Sequence, residues 1–179
     1  MASEYIEDSK GLILFFDEAR FGLQPDIARQ WSLKGKRPVA PVKTGYKNFY
    51  IYAAVDPIEG ESFILELPRV DTDMVNLFFQ ELHDAFPDRK ILFIWDQAGY
   101  HRAKDLQIPS NIKIEYLPPY SPELNPPERL WRWLRRHACR NRLFNSIDEQ
   151  AEILGNAIRS LTKKDFSSLC NCSYLMQVN

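Results

Sequence analysis

The sequence predicts an α/β fold built on a mixed β-sheet with helices on both faces. Three observations carry that expectation. Strand-like segments dominate the first third of the chain, two of them spaced as a hairpin. Helical and strand-like periodicities then alternate, the pattern of strands linked by covering helices. The apolar runs are also short, of a length that crosses a domain core and far from the length that spans a bilayer.

Gly11-Leu-Ile-Leu-Phe-Phe16 is apolar throughout, which predicts a buried strand over about 11–17 ending at Asp17. Residues 19–45 show little periodicity and are broken by Gly22, Pro25, Gly35, Pro38, Pro41 and Gly45. They read as a long loop, and loops of that length in a domain are functional or flexible. Asn48–Val55 is rich in aromatic and β-branched residues, Asp56-Pro-Ile-Glu-Gly60 has turn chemistry, and Ser62–Leu67 completes a hairpin. Asp71-Thr-Asp73 starts a helix whose apolar residues Met74, Val75, Leu77, Phe78, Leu82 and Phe86 recur at helical spacing up to Pro87. A strand at 90–96, a short helix near 102–106 and a strand at 112–117 follow. The last elements are a helix from about Pro126 to Asn141 and another from Ser146 or Ile147 to about Leu161.

At 179 residues the chain is of single-domain length, with a core over about 11–142 and a C-terminal helical segment over about 146–179. The acidic N-terminus lacks a basic-then-apolar leader pattern, so the expected location is the cytoplasm, associated with the nucleoid, with no membrane partner. Cys139, Cys170 and Cys172 are odd in number, and Cys-x-Cys lacks the two-residue zinc spacing. They read as reduced thiols without a zinc site.

The net charge of −1 conceals a segregated distribution. Residues 129–142 hold six arginines, one histidine and no acid, and residues 34–47 hold Lys34, Lys36, Arg37, Lys43 and Lys47, again without an acid. Acids concentrate in 1–8, 56–66 and 71–88. Such polarity suits a polyanion on one face; the simpler reading is a pair of solvated faces.

Asp17 and Asp96 end apolar strands, and Glu128 opens a helix after the proline-rich turn 117–127. If the strands at 11–17 and 90–96 are parallel neighbours, both aspartates leave the same sheet edge, where sites of open α/β sheets gather. At 100° per residue, Leu130, Trp131, Leu134 and Ala138 share an apolar face, Arg129, Arg132, Arg136 and Arg140 form the opposed stripe, and Glu128 lies between. Carboxylates crowd together only around a cation, and hard oxygen donors suit Mg²⁺ or Mn²⁺. The set therefore points to metal-assisted phosphoryl transfer on nucleic acid. Each residue also has a plainer reading. Glu128 completes a capping box with Asn125, and the two aspartates suit strand-end turns. Trp133 is placed to stack on a base or to touch a partner, and His101 to serve the backbone or help catalysis.

Four segments resemble the mariner-type insertion-sequence transposases, whose DDE catalytic domain has an RNase H-like fold. They are Phe16-Asp-Glu-Ala-Arg-Phe-Gly22, Trp31-Ser-Leu-Lys-Gly-Lys-Arg-Pro38, Ile94-Trp-Asp-Gln-Ala-Gly-Tyr-His101 and Tyr116-Leu-Pro-Pro-Tyr-Ser-Pro-Glu-Leu-Asn-Pro-Pro-Glu-Arg-Leu-Trp131. The last is the most specific. The resemblance implies a five-stranded mixed sheet and Asp17, Asp96 and Glu128 as the catalytic, metal-binding triad, with Mg²⁺ or Mn²⁺ as two ions. It also implies cleavage at transposon ends and strand transfer to target double-stranded DNA at TA, by a homo-oligomer when synapsed. Arg129, Arg132, Arg136, Arg140, Lys34, Lys36 and Arg37 are the expected DNA contacts, with Gln97, His101 and Asn125 in support. Gln97 stands where relatives carry Asn, 31 residues separate Asp96 from Glu128, and the family's N-terminal helix-turn-helix domains are absent. The alternatives are a non-catalytic DNA-binding remnant and a general RNase H-like nuclease.

Overall fold

In a strand, side chains alternate between faces, so a strand apolar at every position must be covered on both. The first strand meets that condition from Leu12 to Phe16, all buried. In the computed structural model, which describes residues 4–5, 8–24, 26–27, 31–36, 45–97 and 105–172, this strand is the centre of the molecule. β1 (Gly11–Gly22), β2 (Asn48–Val55), β3 (Ser62–Leu67), β4 (Lys90–Trp95) and β5 (Ile112–Tyr116) form one sheet in the order β3-β2-β1-β4-β5. β2 pairs antiparallel with both β1 and β3, whereas β1–β4 and β4–β5 are parallel. The mixed five-stranded sheet and its hairpin are as the sequence predicts.

Helix α1 (Thr72–Ala85) covers one face, capped by the Asp71 carboxylate on the Met74 amide at 2.9 Å. Its Val75, Phe78, Phe79 and Leu82 pack on Leu12, Leu14 and Phe16 of β1 and on Phe93 of β4. Helices α2 (Pro127–Leu134), α3 (Ile147–Arg159) and α4 (Lys163–Leu169) cover the other. There Leu130, Trp131, Leu134, Leu154 and Phe166 pack on Ala19, Phe21, Ile51 and Ala53. Helices therefore lie on both faces, and β1 divides the two cores.

Three differences from the sequence-based expectation have physical reasons. β1 continues past Asp17 to Gly22, because Ala19 and Phe21 stay buried and pairing with β2 runs on to Gly22 opposite Asn48. The alternation Glu18-Ala-Arg-Phe21 carries that signal, and the charges obscured it. The helix predicted to reach Asn141 is α-helical only to Leu134. It then widens into a π-helical turn over Arg135–Cys139, closed by the Arg140 amide on the Arg135 carbonyl at 2.8 Å. The last helix ends at Arg159, and α4 begins separately behind a capping box between Thr162 and Asp165. The short helix predicted near 102–106 falls largely outside the described residues.

Candidate active site

The register of β1 against β4 sets Phe15 opposite Ile94. Two residues further on, the same register brings Asp17 level with Asp96, just beyond the last residue of β4. The aspartates therefore meet at the carboxyl end of the parallel pair, although Asp17 is an interior residue of its own strand. Asp17 shares the face of Phe15, Ala19 and Phe21, which is the face that α2 covers. Its antiparallel neighbour is Ala53, whose methyl group leaves room for a carboxylate.

Helix α2 brings the third acid. Its apolar side, Leu130, Trp131 and Leu134, is buried, as the periodicity predicts. A buried indole needs an acceptor for its N–H, and Trp131 donates to Asp17 Oδ2 at 2.8 Å. Glu128 lies three residues before Trp131, so it is on the same side of the helix one turn closer to its start. Asn125 pins that start to the sheet: its buried Nδ2 donates to the Phe16 carbonyl at 3.1 Å. The capping box with Glu128 does not form. Pro126 occupies the cap position in helical conformation with no side-chain cap bond, and Asn125 turns toward β1 instead. Asn125 Oδ1 is buried without a hydrogen-bond partner among the described residues. At the far side, Gln97 Nε2 donates to the Leu117 carbonyl at 2.9 Å and ties the ends of β4 and β5 together.

The result is a cleft of about 390 Å³ lined by Asp17, Asp96, Gln97, Asn125, Glu128 and the arch from Leu117 to Pro122. All three predicted acids open onto it. Burial pushes the Asp17 carboxyl up to about 7; the Trp131 hydrogen bond opposes this, and the charges of Glu18 and Glu128 add to it. A carboxylate raised by burial and by another carboxylate is one that a cation would stabilise. Among the described residues no three acids, histidines or cysteines stand close enough to hold a metal ion as they are. The donor set nonetheless fits a hard divalent cation, since it offers three carboxylates and an amide beside one another and neither cysteine nor histidine.

Glu128 also borders two further grooves. One, of about 520 Å³, is lined with Glu123, Arg129 and Arg132; the other, of about 370 Å³, with Asp26, Arg132, Arg135, Arg136 and Arg140. The arginine surface thus adjoins the acidic cleft. Arg132, Arg136 and Arg140 are exposed, whereas Arg129 is half-buried and its guanidinium donates to the Asn171 carbonyl. Arg135 belongs to this surface too: seven residues after Glu128, it shares nearly the same direction on the helix. It opens the π-helical turn and lies over the Phe21 ring at 5.4 Å. Lys34 and Lys36 are exposed in a turn at 31–36 and line none of these three surfaces. Arg37 and His101 lie outside the described residues. Trp133 stacks on His137 with ring centroids 4.6 Å apart. The three cysteines are buried free thiols. Among the described residues no helix is long and apolar enough to cross a membrane.

Residues 12–150 match the sequence model of the family described as DDE superfamily endonuclease. An uncharacterized protein of Sinorhizobium fredii (strain NBRC 101917 / NGR234), y4pE/y4sA, is 39% identical over 101 residues, covering 56% of this chain and 75% of that relative. Among solved structures, the Mos1 strand transfer complex aligns with 94% of this chain at a TM-score of 0.67 and 18% identity. The Mos1 mariner paired-end complex with Mn aligns with 94% at 0.69 and 15%, and the one with Mg with 94% at 0.65 and 17%. At these identities the likeness is one of fold, the RNase H-like fold. The chain spans about half the length of those solved proteins, 53% and 54%.

Proposed function

The chain belongs to the DDE superfamily endonucleases, and on that premise we propose that it is the catalytic domain of a mariner-type transposase, cutting DNA at transposon ends and joining them to target DNA. The observation that carries this reading is the cleft shared by Asp17, Asp96 and Glu128 beside the arginine-lined grooves. Acids alone would repel a phosphodiester, and cations alone would bind without cutting; their adjacency suits both tasks.

Asp17, Asp96 and Glu128 would together hold two Mg²⁺ or Mn²⁺ ions, which supply Lewis-acid activation of a water or 3′-hydroxyl and stabilise charge on the departing oxygen. Asn125, whose buried Oδ1 has no hydrogen-bond partner among the described residues, supports the start of α2 and so the approach of Glu128. Trp131 fixes one Asp17 oxygen and leaves the second for the cleft. Arg132, Arg136 and Arg140 hold the DNA backbone through charge, with Arg135 alongside. Arg129 adds charge at the same rim while bonded to the Asn171 carbonyl. No serine, cysteine or tyrosine nucleophile is required, because water and then a DNA 3′-hydroxyl attack the phosphorus directly. Synapsis of two ends calls for more than one copy, and the place of work is the nucleoid.

Asp96→Asn tests the triad. Mg²⁺-dependent nicking of transposon-end duplex is expected to disappear with the melting temperature unchanged. Full activity in that variant rejects the assignment, and cutting of RNA:DNA hybrids without cutting of transposon-end duplex replaces the transposase by a general nuclease.

A further inference from the structure

Resting on the DNA-cleaving reading above, we propose that Tyr120 is a base-stacking residue at the mouth of the acidic cleft, holding one unpaired nucleobase beside the phosphate to be cut. The residue is 100% exposed, although tyrosine is one that folding normally covers at least in part. Its backbone has φ 57°, the left-handed region that bulky residues seldom occupy. Both features work against the stability of the isolated chain. They are retained at a residue that lines the same cleft as Asp17, Asp96 and Glu128. An unfavourable conformation held by its surroundings at such a position is the mark of a functional residue.

The surroundings hold it firmly. Pro118, Pro119 and Pro122 restrict the backbone on either side. Leu117 is buried at the foot of the arch, with its amide donating to the Trp95 carbonyl at 2.8 Å. Ser121 Oγ donates to the Pro119 carbonyl at 3.3 Å, and the Leu124 amide to the Ser121 carbonyl at 3.1 Å. The backbone that carries the ring is therefore set in advance, so little backbone order is lost when something stacks on it.

The neighbouring surfaces define the occupant. A ligand that enters this cleft meets carboxylates at one end and arginines around the rim of Glu128. A chain with anionic phosphates and flat apolar faces matches that sequence of surfaces, and a nucleobase is the part that fits an exposed aromatic ring. The base must be unpaired and unstacked, since a base within a duplex has both faces covered.

The test uses the Asp96→Asn background, so that the probe stays intact. The probe is a short duplex with a single-stranded overhang carrying 2-aminopurine, and its control has an abasic site at that position. The protein with Tyr120, and Tyr120→Phe, are expected to quench the 2-aminopurine. Tyr120→Ala loses the quenching and binds the overhang roughly tenfold to a hundredfold more weakly. The abasic probe binds the parent protein weaker by a similar factor, and Tyr120→Ala costs nothing further on it. Tyr120→Gly, free of the positive-φ penalty, melts no lower than the parent while losing the quenching. The proposal is overturned if Tyr120→Ala keeps quenching and affinity, if it loses as much on the abasic probe, or if its effect is a change in self-association. No binding of either probe by the parent removes the DNA-cleaving reading as well. Binding and wild-type cleavage with an unaffected Tyr120→Ala removes the stacking role alone.

Discussion

Asp17→Asn is expected to stabilise the metal-free protein at pH 8 and to leave its stability unchanged at pH 4. The Asp17 carboxyl titrates at about 7 in the folded chain, against 3.8 for an ordinary aspartate, mainly because it is buried. Between those two values the folded state holds a proton that the unfolded state has released. Stability therefore falls as pH rises from about 4 through about 7, and the loss is complete above that window. A rise of roughly 3 pH units at about 1.36 kcal/mol each sets an upper bound of about 4 kcal/mol. Asparagine keeps the shape and can still accept from Trp131, but it carries no charge to desolvate. In a chain of this size the gain corresponds to a rise on the order of 10 °C in melting temperature at pH 8. The assay is thermal and urea unfolding of both proteins in EDTA across pH 4 to 8. Equal stabilisation at both ends, or none at pH 8, refutes the claim that a buried ionised carboxylate strains this site. Mn²⁺ is expected to raise the melting temperature of wild type and to do little for Asp17→Asn, which separates ion binding from the electrostatic relief.

Further outcomes follow from neighbouring residues. Trp131→Phe keeps the ring in the core but removes the donor to Asp17; a loss of about 1.5–3 kcal/mol at pH 8 is expected by urea unfolding, since the acceptor is charged there. Asn125→Ala removes the Asn125 hydrogen bond to the Phe16 carbonyl, at about 1–2 kcal/mol in the same assay, and weakens Mn²⁺-induced stabilisation if α2 no longer holds Glu128 in place. Arg132→Ala with Arg136→Ala is expected to reduce the slope of log affinity for duplex DNA against log salt by roughly one unit for each phosphate that is no longer neutralised. An unchanged slope places the DNA elsewhere.

The sequence by itself determined the elements whose apolar pattern is strong. The all-apolar run before Asp17, the aromatic strand at 48–55 and the helical spacing from Met74 to Leu82 announce a sheet covered on both faces, because burial demands those periods whatever the partner. It also singled out Asp17, Asp96 and Glu128, although Asp17 proved to be interior to a longer strand, and its motifs matched the family to which the chain belongs. Tertiary structure decided what those residues touch. Asn125 reads locally as a helix cap, yet a carbonyl 109 positions away in the chain takes its hydrogen bond. Trp131 reads as core, yet its N–H finds an acid 114 positions away. The π-helical turn over Arg135–Cys139, and the left-handed backbone of the exposed Tyr120, have no hydrophobic period to reveal them. Periodicity reports which side of an element is buried; a hydrogen bond depends on where a distant strand comes to rest, and only the packed chain settles that.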